Sequence, residues 1–154
     1  PNVNDSFDVT GNTDGTTIYY NQETGTDQVD AGGNVTAIQA NILSGDFDIT
    51  QKRSNTGQAV GTPDLRGDGE YIMRISRFIP DFINQTGSTE VSFISRNYPN
   101  STAITTNFTV DSTTTKKDIR LRARSIALKV SNTGSNQDWK LGTFRLDISP
   151  GGMR

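Results

Sequence analysis

The sequence predicts an all-β fold, an antiparallel β-sandwich or related barrel with long polar loops, and three observations predict it. Apolar residues recur with a period of two in several short runs, spaced roughly 10 to 15 residues apart and separated by Gly, Asn, Pro and Thr turns. No run carries a convincing helical period over the length of a stable helix. Only 31% of the 154 residues are apolar, and they concentrate after Asp46, which assigns the core to residues 46–154 and leaves residues 1–45 as a polar, loop-rich arm or the first strands of the domain.

Turn formers dominate the first 45 residues: NDS, TGNTDG, NQETGTDQ and DAGGN. Within them Thr16-Thr17-Ile18-Tyr19-Tyr20 is β-branched and aromatic and reads as a short strand. Residues 35–43 have apolar spacing that suits one or two turns of helix, although Asn34-Val35-Thr36 opens them poorly. Phe47 and Ile49 then alternate with Asp46 and Asp48. After a Gly- and Asn-rich loop, the turn RGDGE leads into a strand with Tyr71, Met73 and Ile75 on one face and Arg74 and Ser76 on the other. Pro80 ends it. Val91 with Phe93, and Phe108 with Val110, repeat the alternation on either side of a turn at Arg96-Asn97-Tyr98-Pro99. The tract STTTKK reads as a loop before the longest strand.

That strand changes parity. Ile119, Leu121 and Ala123 point one way, and Ile126, Leu128 and Val130 keep the apolar face on even numbers. A strand cannot do this without an extra residue, so a bulge or sharp bend is expected near Arg124-Ser125. The ending behaves likewise: Trp139 and Leu141 are odd, Phe144, Leu146 and Ile148 are even, and Gly142 marks the switch.

Composition excludes much chemistry. The chain has neither Cys nor His, so disulfides, thiolate nucleophiles, Cys-ligated zinc and imidazole proton transfer are all closed to it. The formal net charge of -2 gives no global pull toward nucleic acid, and no segment approaches the roughly 18 apolar residues of a membrane span. Asp46, Asp48, Asp64, Asp68, Glu70 and Asp81 raise carboxylate-pair or calcium chemistry, but DLRGDGE lacks the ligand spacing of an EF-hand loop and Asp favours turns for its own reasons. Arg66-Gly67-Asp68 reads as a turn before an adhesion tripeptide. No phosphate-binding glycine loop is present. No metal or cofactor is expected, and no enzymatic activity.

The arginines carry more information. Arg120, Arg122 and Arg124 alternate along one strand, with Lys116, Lys117 and Lys129 close by. Three guanidinium groups in a row repel unless anions face them. Acidic residues of the neighbouring strand would make it a solvated face; an acidic surface of another subunit, or less readily a nucleic acid, would make it a contact row. The aromatic interleaving of a single-strand binder is missing. Trp139 suits a core anchor better than a sugar platform. Tyr19, Tyr20 and Tyr98 are the candidate platforms of the alternative reading, a carbohydrate- or host-receptor-binding module.

The order GDGEY, SRFIPD, RNYP, RLRARSIALKV and DWKLGTFRLDISPGGMR resembles the C-terminal region of a family of large virion proteins of short-tailed bacteriophages, described as tail, tail-nozzle or DNA-stabilisation proteins. The resemblance covers roughly residues 65–154. Arg120, Arg122 and Arg124 fall on a family Arg-x-Arg-Gly-Arg; Trp139, Leu141 and Gly142 on its tryptophan block; and Arg145 and Asp147 on its Arg-x-Asp. Ala123 stands where Gly is usual and Met153 where Arg is usual. The resemblance implies a C-terminal fragment of a longer chain and a non-enzymatic subunit of a phage tail. It would form a homo-oligomeric ring with other tail proteins as partners, in passive contact with DNA in the lumen. Its interface candidates are Arg120, Arg122, Arg124, Arg145 and Asp147.

Overall fold

A computed structural model describes residues 10–11, 17–18, 25–29, 34–49, 71–132 and 134–153. Among them every regular element is a β-strand, and the architecture is sandwich-like. One sheet has three strands: β6 (Tyr71–Ile79) in the centre, flanked by β10 (Lys117–Ala123) and β13 (Arg145–Met153). The other has four, in the order β5 (Asn41–Leu43), β11 (Ser125–Asn132), β8 (Thr89–Arg96) and β9 (Ile104–Val110). Both are antiparallel throughout. Two-stranded pairs are made by β1 (Thr10–Gly11) with β2 (Thr17–Ile18), β3 (Asp27–Val29) with β4 (Val35–Ala37), and β7 (Phe82–Thr86) with β12 (Asp138–Leu141).

The core lies between the two large sheets. Met73, Ile75, Phe78, Leu121 and Ala123 from one meet Val91, Phe93, Val110, Ile126, Leu128 and Val130 from the other in one buried cluster. Phe78, with no exposed surface, is its aromatic hub. Its ring stands edge-on to Phe93 at 5.9 Å across the sandwich and touches Phe108 at 5.7 Å and Phe144 at 5.9 Å.

The alternating residues sit where the sequence places them: Tyr71, Met73 and Ile75 are buried while Arg74 and Ser76 are exposed. A bulge follows at once. Phe78 returns to the core because Ser76 is an extra residue against β13, whose Asp147 and Ile148 pair with Arg77 and Ile75.

The expected bend at Arg124 is a change of sheet. β10 leaves the three-stranded sheet at Ala123, and β11 begins in the four-stranded sheet at Ser125. One residue turns the corner, fixed by the bond from the Arg124 N–H to the Arg96 carbonyl at 3.1 Å. At Gly142 the chain likewise leaves β12, and β13 joins the other sheet three residues later. A Cβ on Gly142 would lie 2.6 Å from Asp81 Oδ2 and 3.2 Å from the Asp81 carbonyl oxygen. The glycine is there because two backbones approach closely, its own N–H donating to that carbonyl at 2.7 Å.

Helical spacing over residues 35–43 is overturned: the segment forms β4 and β5. Val35, Ile42 and Leu43 are 56%, 49% and 58% exposed, so their spacing does not mark a buried helical stripe. Backbone pairing decides the conformation instead, of β4 with β3 and of β5 with β11. Asn132 holds the β4–β5 connection in place, its side chain accepting from the Ala40 N–H at 2.6 Å and donating to the Ile38 carbonyl. Phe47 makes an isolated bridge to Ile126 and no longer strand, and Ile49 is buried. The RGDGE turn and the Gly- and Asn-rich loop before it lie outside the described residues, as do Tyr19 and Tyr20 of the expected Thr16 strand.

Candidate functional site

The outward face of the three-stranded sheet is built by pairing register. β6 brings Arg74 directly opposite Arg122 of β10 and, on its other side, Ser149 of β13. Two residues along in space, Arg77 pairs with Asp118 on one side and Asp147 on the other. Arg120 stands between these rows on β10, exposed, while its neighbours Ile119 and Leu121 turn into the core. Arg145 is exposed on β13, opposite Ile79.

The two rows differ electrostatically. In the Arg77 row, Arg77 Nε donates to Asp118 Oδ1 at 2.9 Å, and its Nη1 lies 3.4 Å from Asp147 Oδ2. The hydrogen bond and charge of Arg77 hold the Asp118 carboxyl below the usual carboxylate range, and Asp118 in turn raises Arg77. In the Arg74 row, Arg74 and Arg122 stand opposite each other in register and neither is paired with a carboxylate. Like charges so placed repel. Arg122 Nη2 has one long contact to the Gly151 carbonyl, 3.5 Å; among the described residues Arg74, Arg120 and Arg145 have no ion-pair or hydrogen-bond partner for their side chains. Arg74, Ser76, Arg77, Asp118, Arg120 and Ser149 line a shallow concavity of about 480 Å³ that reaches from Arg74 to the Arg77–Asp118 pair.

Such an arrangement suits an anion that brings its own carboxylates or phosphates. Guanidinium groups side by side bind them in bidentate geometry, and the mutual repulsion is relieved when they do.

Arg124 does not line the concavity of Arg74 and Arg120, but shares another, of about 260 Å³, with Arg122, Ile72, Asn97 and Tyr98. The corner that moves the chain between sheets turns its side chain over the Tyr98 ring, 5.6 Å from the centroid. Tyr98 is 66% exposed in the turn after β8. The carboxylate of Asp46 buttresses this corner, accepting from Arg96 Nη1 at 2.9 Å and from the Ser125 hydroxyl at 2.8 Å. A third concavity, of about 430 Å³, runs between Asp46, Asp48, Asn97, Tyr98 and Arg124.

Other residues weighed from sequence have structural surroundings. Trp139 is half-buried, edge-on to Phe82 at 6.1 Å, and packs on the core. Asp81 accepts from the Thr143 N–H at 2.8 Å. Among the described residues no group of three His, Cys, Asp or Glu is placed to hold a metal ion. Asp64, Asp68 and Glu70 lie outside them.

Arg74 is the site residue that sequence reasoning passes over. Its signal is a charged residue on the solvent side of an alternating strand, but only the pairing of β6 with β10, distant in sequence, reveals that it faces Arg122.

No protein-family model matches the chain, and no curated protein matches it.

Proposed function

We propose that this chain is a non-enzymatic assembly module, a structural subunit of a bacteriophage tail whose arginine-bearing sheet face docks on carboxylates of a neighbouring subunit. The observation that carries the docking is that Arg74 and Arg122, opposite each other in register, and Arg120 share one sheet face and have no ion-pair partner among the described residues. A face that needed only solvation would gain from pairing every arginine as Arg77 is paired. The phage setting rests on the resemblance of residues 65–154.

Light scattering on the chain, and on any longer parent, gives the test. The particle exceeds a monomer, and Arg120→Glu with Arg122→Glu lowers its mass while circular dichroism stays unchanged. A particle mass that both reversals leave unchanged, or a wild-type chain and parent that are monomeric, overturns the proposal.

A second reading, a glycan- or receptor-binding module, is supported by the exposure of Tyr98 in a concavity that it lines with Asp46, Asp48, Asn97 and Pro99. A glycan array that is silent for the wild type, or unchanged by Tyr98→Ala, disposes of it.

A further inference from the structure

The sheet edges of this protein are not alike. β10 carries Lys117, Asp118, Arg120 and Arg122 and a break in register; β13 carries Arg145, Asp147 and Pro150 and two breaks. β5 is three residues long. Charge, proline, bulges and brevity are the devices that stop an edge from pairing with another chain. β9 has none of them. It reads Ile104-Thr105-Thr106-Asn107-Phe108-Thr109-Val110, seven residues in unbroken register with β8, and among the described residues no strand pairs with its outer side.

The start of β9 also overhangs the core. Ile104 and Thr106 have the parity of Phe108 and Val110, yet Ile104 is 65% exposed whereas Val110 is 1% exposed.

We propose that β9 pairs antiparallel with β9 of a second copy of this chain about a two-fold axis at Asn107, joining the two four-stranded sheets edge to edge. A two-fold axis sets equivalent residues of the two copies against each other, so a self-pairing edge must avoid charge. Residues 97–110 contain no Asp, Glu, Lys or Arg. Full overlap of the strand fixes the register: Ile104 lies opposite Val110 of the second copy, Thr105 opposite Thr109, Thr106 opposite Phe108 and Asn107 opposite itself. The overhanging Ile104 is set against the strand end at which Val110 is already buried, Thr106 faces Phe108, and Thr105, Thr109 and Asn107 meet groups with which they hydrogen-bond. A charged peptide would find no counter-charge on this edge.

The absence of Cys makes cross-linking a clean test. In an antiparallel pair the facing Cα atoms are about 4.5 or 5.5 Å apart, within disulfide reach. Asn107→Cys is expected to form a disulfide-linked dimer under mild oxidation. Thr105→Cys alone should not, because its two copies are then offset by four residues, about 14 Å along the strand. Thr105→Cys mixed with Thr109→Cys should cross-link again. Asn107→Lys, at an exposed position, should weaken the dimer at least about tenfold in sedimentation with the fold intact. Equal cross-linking of Asn107→Cys and Thr105→Cys overturns the proposal, as does a monomer at every concentration. Protected β9 amides in such a monomer would mean that another segment of the same chain covers the edge, and overturn it too. Cross-linking of Asn107→Cys that persists with Arg120→Glu separates this contact from the arginine-face docking.

Discussion

Replacing Gly142 by alanine tests whether close approach, and not flexibility, explains the glycine. The new Cβ would lie 2.6 Å from Asp81 Oδ2 and 2.8 Å from its Cγ, with the backbone oxygen at 3.2 Å. The carboxylate must swing away, breaking the 2.8 Å bond from the Thr143 N–H. A hydrogen bond to a charged group is worth about 1.5 to 3 kcal/mol, and the exposure of Asp81 argues for the lower end. The backbone oxygen must also yield by a few tenths of an ångström. Against this, alanine restricts the unfolded chain and returns about 0.4 to 1 kcal/mol. The net expectation is a loss of about 1 to 2 kcal/mol. Urea unfolding followed by fluorescence reads it, because Trp139 is the single tryptophan and packs beside Phe82 close to this turn. In an Asp81→Ala background most of the clash is gone, so Gly142→Ala should cost at least about 1 kcal/mol less there. A neutral Gly142→Ala, or the same cost in both backgrounds, refutes the steric argument.

Three further outcomes follow from the packing and the ion pairs. Phe78→Ala removes the aromatic hub of a core with no exposed surface at that residue and should cost about 3 to 5 kcal/mol in urea unfolding, whereas Phe108→Ala, half-buried, should cost clearly less. Asn132→Ala leaves the Ala40 N–H and the Ile38 carbonyl without that partner; it should cost about 1 to 3 kcal/mol and speed proteolysis within residues 38–45. The carboxyls of Asp118, through Arg77, and of Asp111, through the Thr113 and Thr114 hydroxyls, are held below the usual carboxylate range. They therefore stabilise the fold above that range, and the contribution drains away as pH falls through and below it. Asp118→Asn should flatten the stability profile between about pH 5 and pH 2, and an unchanged slope would show that the Arg77 pair contributes nothing to folding.

Local alternation carried far in this chain. It marked Tyr71, Met73 and Ile75 of β6, Val91 and Phe93 of β8, Ile119, Leu121 and Ala123 of β10, and Ile126, Leu128 and Val130 of β11 as buried, because each strand has a core face, but it gave no sign of Phe78, which a bulge returns to the core, or of Ser92 and Ala127, buried on the other parity. Both parity switches were legible for the same reason, and both are places where the chain changes sheet. What alternation does not contain is partnership. That Arg122 faces Arg74 follows from pairing β6 with β10 across about 45 residues of sequence, and the same pairing decides that Arg77 and not Arg122 receives the carboxylates. β4 and β5 misled because they bury little, so their apolar residues record no consistent face. β7 escaped notice because Pro80 and Asp81 precede it and its pattern, Phe82-Ile83-Asn84-Gln85-Thr86, is interrupted by Asn84 at a φ of 52°.

The corner at Arg124 has a further effect on what the molecule can contact. Had β10 and β11 continued as one strand, the arginine row and the uncharged β9 edge would belong to a single sheet. One partner would then meet both. Because the chain changes sheet after Ala123, the row faces outward from the three-stranded sheet, while β9 closes the far side of the four-stranded one. A subunit with an electrostatic face on one layer and a backbone-pairing edge on the other can engage two neighbours by unrelated physics. Salt weakens the first contact and leaves the second largely untouched. Raising ionic strength on the wild-type chain should therefore reduce the assembly to β9-linked dimers before any unfolding begins. Loss of both contacts in parallel with salt would mean that they are one interface, and that the separation of the two layers has no bearing on assembly.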